Sequence, residues 1–284
     1  MPLDQIDVDT HDVSEKKKDE GQEMSFLDHL EELRWHIIRA VASILIVAVV
    51  VFVMKNFVFV NIVFAPKNSD FLTYRIFCAI NDVLCFTPPD FQVQAFKIEE
   101  QFLSHVKVSI ILGFIVSFPY VFYELWKFIK PGLYNKEVVA ARGIVGVCSL
   151  LFLIGVLFGY YIITPFALTF LTNYNLAETI AQPTLSSYIN NLIMYTLPTG
   201  LIFELPVIMF MLAKIGLITA SDLKQYRKVA FVAILVVSAI ITPPDVMTLI
   251  MITIPLYGLY ELSIKVVGRV EKQMEEKMKE DELS

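Results

Sequence analysis

The feature that constrains this chain most is a long stretch almost without charge. Between residues 143 and 213 only Glu178 and Glu204 belong to the Asp, Glu, Lys and Arg set, whereas the first 39 residues carry sixteen such side chains. Of the 284 residues, 56% are hydrophobic and only 18% are charged, so the chain is far more apolar than an average globular domain. This pattern excludes a soluble protein and predicts an all-α membrane protein that crosses the bilayer several times.

Six apolar segments are candidates for membrane-spanning helices, since a span needs about 20 residues. They are residues 37–59, 108–128, 143–163, 188–213, 229–241 and 246–264. The fifth segment is short, because its thirteen residues reach only about 20 Å as a helix against a hydrocarbon core of about 30 Å. We still count it as a span, since otherwise the basic residues Lys224, Arg227 and Lys228 would lie on the wrong side of the membrane.

Lysine and arginine mark the loops that face the cytoplasm, because positive residues resist translocation. They are concentrated before the first span, between the second and third, between the fourth and fifth, and after the sixth. Residues 164–187 and 242–245 contain none. Both termini are therefore predicted to be cytoplasmic, while residues 55–107, 164–187 and 242–245 face outward.

Prolines stand within or at the edge of most apolar segments. They are Pro119, Pro165, Pro198, Pro206 and Pro255. Each lacks a backbone donor and tends to bend its helix. Bent helices favour a concave, glove-like assembly over a straight bundle. The two halves of the chain share no pattern of interrupted helices, which counts against a transporter built from inverted repeats.

The two ends of the chain are predicted to lie outside the membrane domain, which covers residues 25–269. Residues 1–24 are polar and rich in acids, a composition typical of a disordered tail. They lack the apolar run of a cleavable signal peptide, since the first such run begins at Ile37. Residues 270–284 form a charged cytoplasmic tail. The formal net charge of −6 argues against nucleic-acid binding through a basic surface.

The approach to the first span, residues 24–34, reads MSFLDHLEELR. Ser25 and Asp28 fit a helix capping box, and apolar residues recur at helical spacing from Phe26 onward. We therefore predict a short amphipathic helix at the membrane surface. This pattern explains the leucines but not Glu31 and Glu32, which by themselves are typical of a solvated face.

A second motif follows the second span, where residues 123–137 read YELWKFIKPGLYNKE. Pro131 and Gly132 break the helix there. Glu137 lies among four basic residues, and an exposed salt bridge would account for it. Taken alone, this motif indicates a helix end at the membrane surface.

Four strings, in this order, resemble the TatC family of twin-arginine translocases. They are FLDHLEELR at 26–34, YELWKFIKPGLY at 123–134, FELP at 203–206 and TPPDV at 242–246. The resemblance runs from about residue 25 to residue 269 and follows the six-helix plan of the family. It implies a multi-pass receptor in the cytoplasmic (inner) membrane that binds signal peptides with paired arginines. It further implies a homo-oligomer within a complex with single-span TatA- and TatB-type partners, which exports folded proteins using the proton-motive force. On this resemblance the chain is not an enzyme and needs no cofactor or metal.

The resemblance places the first acidic position of the family on Glu32, with Arg34 beside it, and the second on Glu137, with an aromatic at Phe128. The chemistry agrees, because a planar guanidinium binds a carboxylate through two parallel hydrogen bonds. Reading two arginines therefore requires two carboxylates on fixed helix ends. These four residues are the predicted signal-peptide-binding site.

Two positions beside this site depart from the family. A basic pair often follows the arginine there, but Trp35 and His36 stand in this sequence. The resemblance therefore assigns these positions no part in binding. Residues 1–24 and the outer loop around residues 78–85 are also longer than the compact family pattern, and we assign them no function.

Glu204 lies deep inside an apolar segment, where a charge costs about 2.5–3.5 kcal/mol at the centre of a spanning helix. Such a residue normally faces protein or water. Two interpretations stand: a neutral, hydrogen-bonded carboxylic acid that packs the fold, or a polar contact for the signal peptide or a partner helix, which the family position supports. Asp245, just after Pro243 and Pro244, is a candidate N-cap of the last helix.

The three cysteines divide by compartment. Cys148 lies inside a helix and is expected to fill space as a small apolar residue. Cys78 and Cys85 both lie in the first outer loop, in an oxidising space, and their spacing permits a bond between them. We therefore predict a disulfide between Cys78 and Cys85.

Two other classes of membrane protein compete with a receptor and translocase core. An ion- or solute-coupled secondary transporter would show repeated halves and a cluster of charges at mid-membrane, whereas only Glu204 lies deep. An intramembrane enzyme would need catalytic residues in the apolar centres. The four histidines lie outside those centres, and the chain has no HExxH, GxSxG or phosphate-loop motif. The sequence therefore favours the receptor and translocase core.

Overall fold

The computed structural model describes residues 26–80, 91–129, 143–174, 182–242 and 245–283. Within these residues no β-strand forms, and only one isolated bridge joins Gln94 and Thr184. The α-helices are α1 (Phe26–Val53), α2 (Lys55–Val58), α3 (Leu72–Ile80), α4 (Glu100–Ile129), α5 (Ile144–Phe158), α6 (Thr164–Asn173), α7 (Leu185–Ile202), α8 (Leu205–Lys214), α9 (Ala220–Gln225), α10 (Arg227–Ile241) and α11 (Val246–Leu283). Short π-helical or 3₁₀ turns occupy Phe59–Val63, Ala65–Lys67 and Gly159–Ile163. The prediction of an all-α protein is confirmed.

Within the described residues, five helical stretches are long and apolar enough to cross a bilayer. They are Glu31–Val53, Glu100–Ile129, Ile144–Asn173, Leu185–Lys214 and Val246–Glu276. They overlap five of the six predicted segments, but the third continues to Asn173, so the first part of the predicted outer loop 164–187 is helical. The remaining segment forms α10, which has 15 residues and extends about 22 Å as a helix. This helix is therefore shorter than a hydrocarbon core of about 30 Å.

The first spanning helix begins earlier than predicted. Residues 26–34 and the apolar run that follows form a single helix, α1, from Phe26 to Val53. The prediction of a separate surface helix was therefore wrong. The physical reason is that residues 26–53 contain neither proline nor glycine, so nothing interrupts the backbone hydrogen bonds. The predicted capping box rests on Ser25, which lies outside the described residues.

Two of the predicted bends coincide with interruptions of the helical hydrogen bonds. Pro165 follows the π-helical turn Gly159–Ile163, and Pro206 follows the break between α7 and α8. Pro165 has no N–H to donate to the carbonyl of Tyr161, and the hydroxyl of Thr73 on α3 donates to that carbonyl instead. The proline thus frees a backbone acceptor that anchors α3.

Glycines allow neighbouring helices to approach closely. A Cβ on Gly155 of α5 would lie 2.8 Å from the Cα of Gly200 on α7, which leaves no room for a side chain. Gly113 on α4 has the same role against α1, because a Cβ there would lie 2.9 Å from the Cβ of Ala48. Such contacts set the register of packed membrane helices.

Glu100, at the start of α4, ties the segment before it to the start of α7. Its carboxylate accepts hydrogen bonds from the backbone N–H groups of Phe96 at 2.9 Å, Lys97 at 3.3 Å and Ser186 at 2.8 Å. Backbone N–H groups at a helix start have no partner within the helix, so a buried carboxylate satisfies them well. The bonds therefore join the N-terminal ends of α4 and α7.

The last helix, α11, has 38 residues and is capped by Asp245. The Asp245 carboxylate accepts hydrogen bonds from the backbone N–H groups of Met247 at 3.2 Å and Thr248 at 2.9 Å, so the predicted N-cap is confirmed. The helix continues through residues 270–283, and the predicted start of a charged tail at residue 270 therefore lies inside a helix. Glu271 accepts a hydrogen bond of 2.8 Å from the backbone N–H of Ala220, which attaches this extension to α9.

Candidate functional site

The start of α1 and the end of α4 lie side by side, because the two helices run antiparallel and pack closely at Gly113. Five ionisable or aromatic side chains gather there. They are Glu32, His36 and Arg39 on α1 and Glu124 and Phe128 on α4, which we call the α1–α4 cluster. Two members of the cluster, Glu32 and Phe128, belong to the predicted signal-peptide site.

His36 and Glu124 form the buried centre of the cluster. His36 Nδ1 lies 2.5 Å from Glu124 Oε2, and each residue is only 4% exposed. Because a carboxylate only accepts hydrogen bonds, Nδ1 carries the hydrogen. Arg39 Nη1 lies 3.9 Å from the same Glu124 oxygen, although its side chain is half exposed. A buried carboxylate needs such partners, since an unpaired buried charge is strongly destabilising.

Glu32 lies one helical turn before His36 and faces the other edge of the imidazole. Its Oε1 is 3.7 Å from His36 Nε2. Its Oε2 is buried and has no hydrogen-bond partner among the described residues. A buried oxygen without a donor carries a free-energy cost of about 1–3 kcal/mol, which an added N–H donor would remove. Glu32 is therefore suited to accept a hydrogen bond from a cationic ligand.

Phe128 lies one helical turn beyond Glu124 and flanks the same histidine. Its ring centroid is 6.4 Å from that of His36, with the ring planes tilted by 59°. The structure thus places the predicted residues Glu32 and Phe128 on two helices around one imidazole. An aromatic face beside a carboxylate suits a guanidinium, which pairs with the acid and stacks on the ring.

Arg34 lies apart from this centre. Its side chain is 63% exposed, with Nη2 3.7 Å from Glu31 Oε1. The guanidinium also lies 5.5 Å from the centroid of the Trp35 ring. Arg34 and Glu32 point differently because residues two apart on a helix do not share a face. Arg34 is therefore placed on the exposed surface beside the cluster.

Two predicted site residues, Glu137 and Cys85, lie outside the described residues. Cys78 is disulfide-bonded, whereas Cys148 is a buried free thiol. The role of Glu137 and the pairing of Cys85 therefore stay predictions.

Glu204 occupies the break between α7 and α8 and is only 6% exposed. Its Oε2 accepts a hydrogen bond of 2.7 Å from the thiol of Cys148 on α5. Its Oε1 is buried without a hydrogen-bond partner among the described residues. Cys148 was expected to act as an apolar filler, but its thiol is a polar partner of this acid. The sequence could not reveal this contact, because the two residues are 56 positions apart.

The pairing of His36 with Glu124 was not predicted from the sequence. Both residues were visible as ionisable groups beside apolar segments, and Glu124 belongs to a motif that carries the family resemblance. A signal was available, since an acid and a base at corresponding ends of two antiparallel helices are candidates for a pair. The prediction would still have needed the packing register, because the two residues are 88 positions apart.

Comparisons with known proteins agree with this architecture. The family model described as Sec-independent protein translocase protein (TatC) matches residues 28–255. The Sec-independent protein translocase protein TatC of Blattabacterium sp. subsp. Periplaneta americana is 38% identical over 264 residues, covering 90% of this chain and 99% of the relative. The corresponding protein of Listeria innocua serovar 6a is 33% identical over 258 residues, covering 90% of this chain and 96% of the relative.

The fold is also similar to a solved structure. A crystal structure of the twin arginine translocase receptor TatC superposes with a TM-score of 0.66 at 31% sequence identity, covering 86% of this chain and 99% of that one. The family match, the full-length relatives and the shared fold lead to one conclusion. This chain belongs to the TatC family of Sec-independent protein translocases.

Proposed function

We propose that this chain is the receptor core of a twin-arginine translocase, which binds the paired arginines of signal peptides at the α1–α4 cluster. The observation that carries the proposal is Glu32, which holds a buried carboxylate oxygen without a donor beside His36 and Phe128. Glu32 takes one arginine and Glu137 takes the other. Arg34 lies on the neighbouring surface, where it contacts the signal peptide outside the arginine pair.

The energetics require a second source of affinity. Charge-assisted hydrogen bonds contribute about 1.5–3 kcal/mol each, so two carboxylates supply about 3–6 kcal/mol. A micromolar complex needs about 8 kcal/mol. The remainder comes from apolar contact between the hydrophobic segment of the signal peptide and the exposed apolar surface of the helices.

The proposed topology has six spans, with both termini in the cytoplasm and the bent helices forming a concave, glove-like assembly in the cytoplasmic (inner) membrane. The distribution of lysine and arginine supports this orientation. A salt bridge of 2.8 Å between Arg227 at the start of α10 and Glu261 on α11 supports counting α10 as a span. The two charges lie beside the first residue of α10, where a spanning helix would leave the apolar part of the bilayer.

The proposed partners are single-span TatA- and TatB-type proteins and further copies of this chain. Together they export folded proteins with the proton-motive force, and the chain itself catalyses no covalent reaction. Glu204 is proposed as a polar contact for an inserted signal peptide or a partner helix. Its unpartnered Oε1 supports this role, because a donor from an added helix would satisfy it.

The experiment that tests the proposal measures the affinities of two peptides for wild type and for variants of the two acids. A signal peptide with paired arginines and its lysine–lysine counterpart are titrated against wild type, Glu32→Gln and Glu137→Gln reconstituted in lipid nanodiscs. Lysine keeps the charge but lacks the planar fork, so wild type should bind the lysine peptide more weakly. Each glutamine variant should lose most of the arginine-over-lysine preference.

Glu31→Gln is the matched control. It makes the same change one residue earlier, at an exposed side chain that pairs with Arg34. This variant should keep the preference of wild type. If Glu32→Gln and Glu137→Gln also kept the arginine-over-lysine preference, the two carboxylates would not be the groups that distinguish arginine from lysine. The proposal would then be wrong.

A further inference from the structure

We infer that His36 is a positioning residue for arginine recognition: its imidazole, held by Glu124, orients the Glu32 carboxylate toward the signal peptide. This inference rests on the proposed function. It assigns a role to a position where the family resemblance predicts none. The geometry that supports it is a chain of three side chains, from Glu124 through the imidazole to Glu32.

The first step is that the imidazole has a fixed orientation. His36 is 4% exposed, and its Nδ1 is bound to Glu124 at 2.5 Å. Nε2 therefore faces Glu32. Because Nδ1 already donates to Glu124, Nε2 carries a hydrogen only in the imidazolium form, and in that form it attracts the nearer oxygen of the Glu32 carboxylate, Oε1, which lies 3.7 Å away.

The second step concerns the other groups around the pair. Arg39 and Tyr120 are further partners of the Glu124 carboxylate. Phe128 flanks the imidazole ring. These contacts restrain Glu124 and His36, which are both buried, whereas the side chain of Glu32 is 36% exposed, so Glu32 is the residue of the three with the most freedom to move.

The third step explains why arginine and lysine differ. The imidazole occupies the Oε1 side of Glu32 and leaves Oε2 without a donor. A lysine ammonium has three N–H donors but no planar fork that matches both carboxylate oxygens in parallel, so it satisfies Oε2 alone and leaves the contact with His36 in place. A guanidinium binds both oxygens in parallel, so it also draws on Oε1 and changes the surroundings of Nε2. The surroundings of His36 Nε2 therefore change when an arginine binds Glu32, and they stay the same when a lysine binds.

The test uses the same two peptides, with paired arginines and with paired lysines, and the nanodisc-reconstituted protein. His36→Gln keeps an amide donor for Glu124 but removes the second nitrogen that faces Glu32. We expect this variant to bind the arginine peptide about tenfold more weakly, the equivalent of one partly lost charge-assisted hydrogen bond. Its affinity for the lysine peptide should change by less than about twofold, since that peptide does not use Oε1.

His105→Gln is the matched control for loosened packing. His105 on α4 contacts the carbonyl of Phe52 on α1 at 3.0 Å, so it links the same two helices at their opposite ends. It should bind both peptides as wild type does. The inference would be overturned if His36→Gln kept the wild-type preference, or if His105→Gln lost it equally.

A second measurement follows the imidazole of His36 in the wild-type protein and uses variants only to assign its signal. In wild-type protein with ¹⁵N-labelled histidine, the imidazole ¹⁵N signals are recorded by NMR without peptide and at saturation with each one. The His36 signal is assigned by its loss in His36→Gln, or by elimination with variants of His11, His29 and His105. It should shift with the arginine peptide and stay in place with the lysine peptide.

The outcomes separate this inference from the proposed function. An unchanged His36 signal at saturation with the arginine peptide would overturn the role of His36 while recognition by Glu32 stood. A Glu32→Gln variant with the full arginine-over-lysine preference would overturn the proposed function itself.

Discussion

The thiol of Cys148 on α5 donates a hydrogen bond of 2.7 Å to the carboxylate of Glu204, at the break between α7 and α8. Both side chains are buried, and the second oxygen of Glu204 has no partner within the described part of the chain. The thiol on the neighbouring helix thus supplies a polar partner for this buried acid. A donor supplied to the second oxygen would remove the free-energy cost of leaving it buried without a partner.

We predict that Glu204 acts after recognition of the signal peptide. Glu204→Ala should bind the arginine peptide as wild type does, because the acid lies within a spanning segment while the arginines stay at the membrane surface. Export of a folded reporter should fall severalfold. Cys148→Ala is the control, since it removes the donor but keeps the acid. Equal loss of binding and export in Glu204→Ala would instead mean that the residue only holds the fold.

The second prediction concerns the salt bridge between Arg227 and Glu261. The two groups are 2.8 Å apart and partly exposed, and the hydroxyl of Tyr257 also donates to Glu261 at 3.1 Å. Arg227→Ala should lower the free energy of unfolding by about 1 kcal/mol, because partial exposure weakens such a pair. Thermal unfolding in detergent of Arg227→Ala, Glu261→Gln and the double variant measures the coupling. Strictly additive effects would show that the pair contributes nothing beyond its separate side chains.

The third prediction concerns the length of α10. As the proposed fifth span, a helix of 15 residues would fall short of a core of about 30 Å, so we expect the bilayer to thin beside it or flanking side chains to reach to the interface. Local thinning would lower the barrier to a folded cargo. Inserting four leucines into α10 should impair export while the protein still inserts, as measured by membrane fractionation and a reporter. Unimpaired export would rule out thinning at α10 as part of the mechanism. Four leucines inserted into the extension of α11 after Glu276 serve as the control.

The fourth prediction is the topology. Ser187→Cys, in the exposed first turn of α7, should react with a membrane-impermeant maleimide added to intact cells, whereas Lys277→Cys should react only after the cells are opened. The reason is the absence of lysine and arginine from residues 164–187 and their abundance after residue 264. Labelling of Lys277→Cys from outside, with Ser187→Cys protected, would reverse the topology and remove the basis for a cytoplasmic receptor site.

The fifth prediction is the disulfide between Cys78 and Cys85. Cys78 is disulfide-bonded and Cys148 is a free thiol, which supports Cys85 as the partner. Mass spectrometry after non-reducing digestion of protein from the native envelope should find the two peptides linked. Cys148→Ser should give the same linked peptide. Free, alkylated thiols at both Cys78 and Cys85 would contradict the prediction.

Local features of the fold could be predicted from the sequence because they depend on neighbouring residues. Five spanning helices follow from apolar runs of sufficient length. The N-cap at Asp245 acts within three residues of its own position, and the interruption before Pro165 follows from a missing N–H. The joining of the surface segment to α1 was missed, because amphipathic spacing predicts a helix without specifying where it must end.

The candidate site could be predicted only in part. The motifs indicated Glu32 and Phe128, and the structure brings both to the same imidazole. Their closeness could not be derived from spacing, because they lie on different helices. The same limit applies to Arg34. That its side chain lies on the exposed surface, beside the side chain of Glu31 three residues earlier, depends on α1 being one continuous helix.

The sequence by itself determined that this chain is a bundle of apolar helices with prolines at its bends, because hydrophobic length and backbone donors are properties of single segments. Only the tertiary structure decided which acids acquire partners. His36 meets Glu124 and Cys148 meets Glu204 across helix pairs whose register depends on close contact at Gly113 and between Gly155 and Gly200. Because a buried carboxylate is stable only beside a donor, that register determines where this membrane protein can hold a charge.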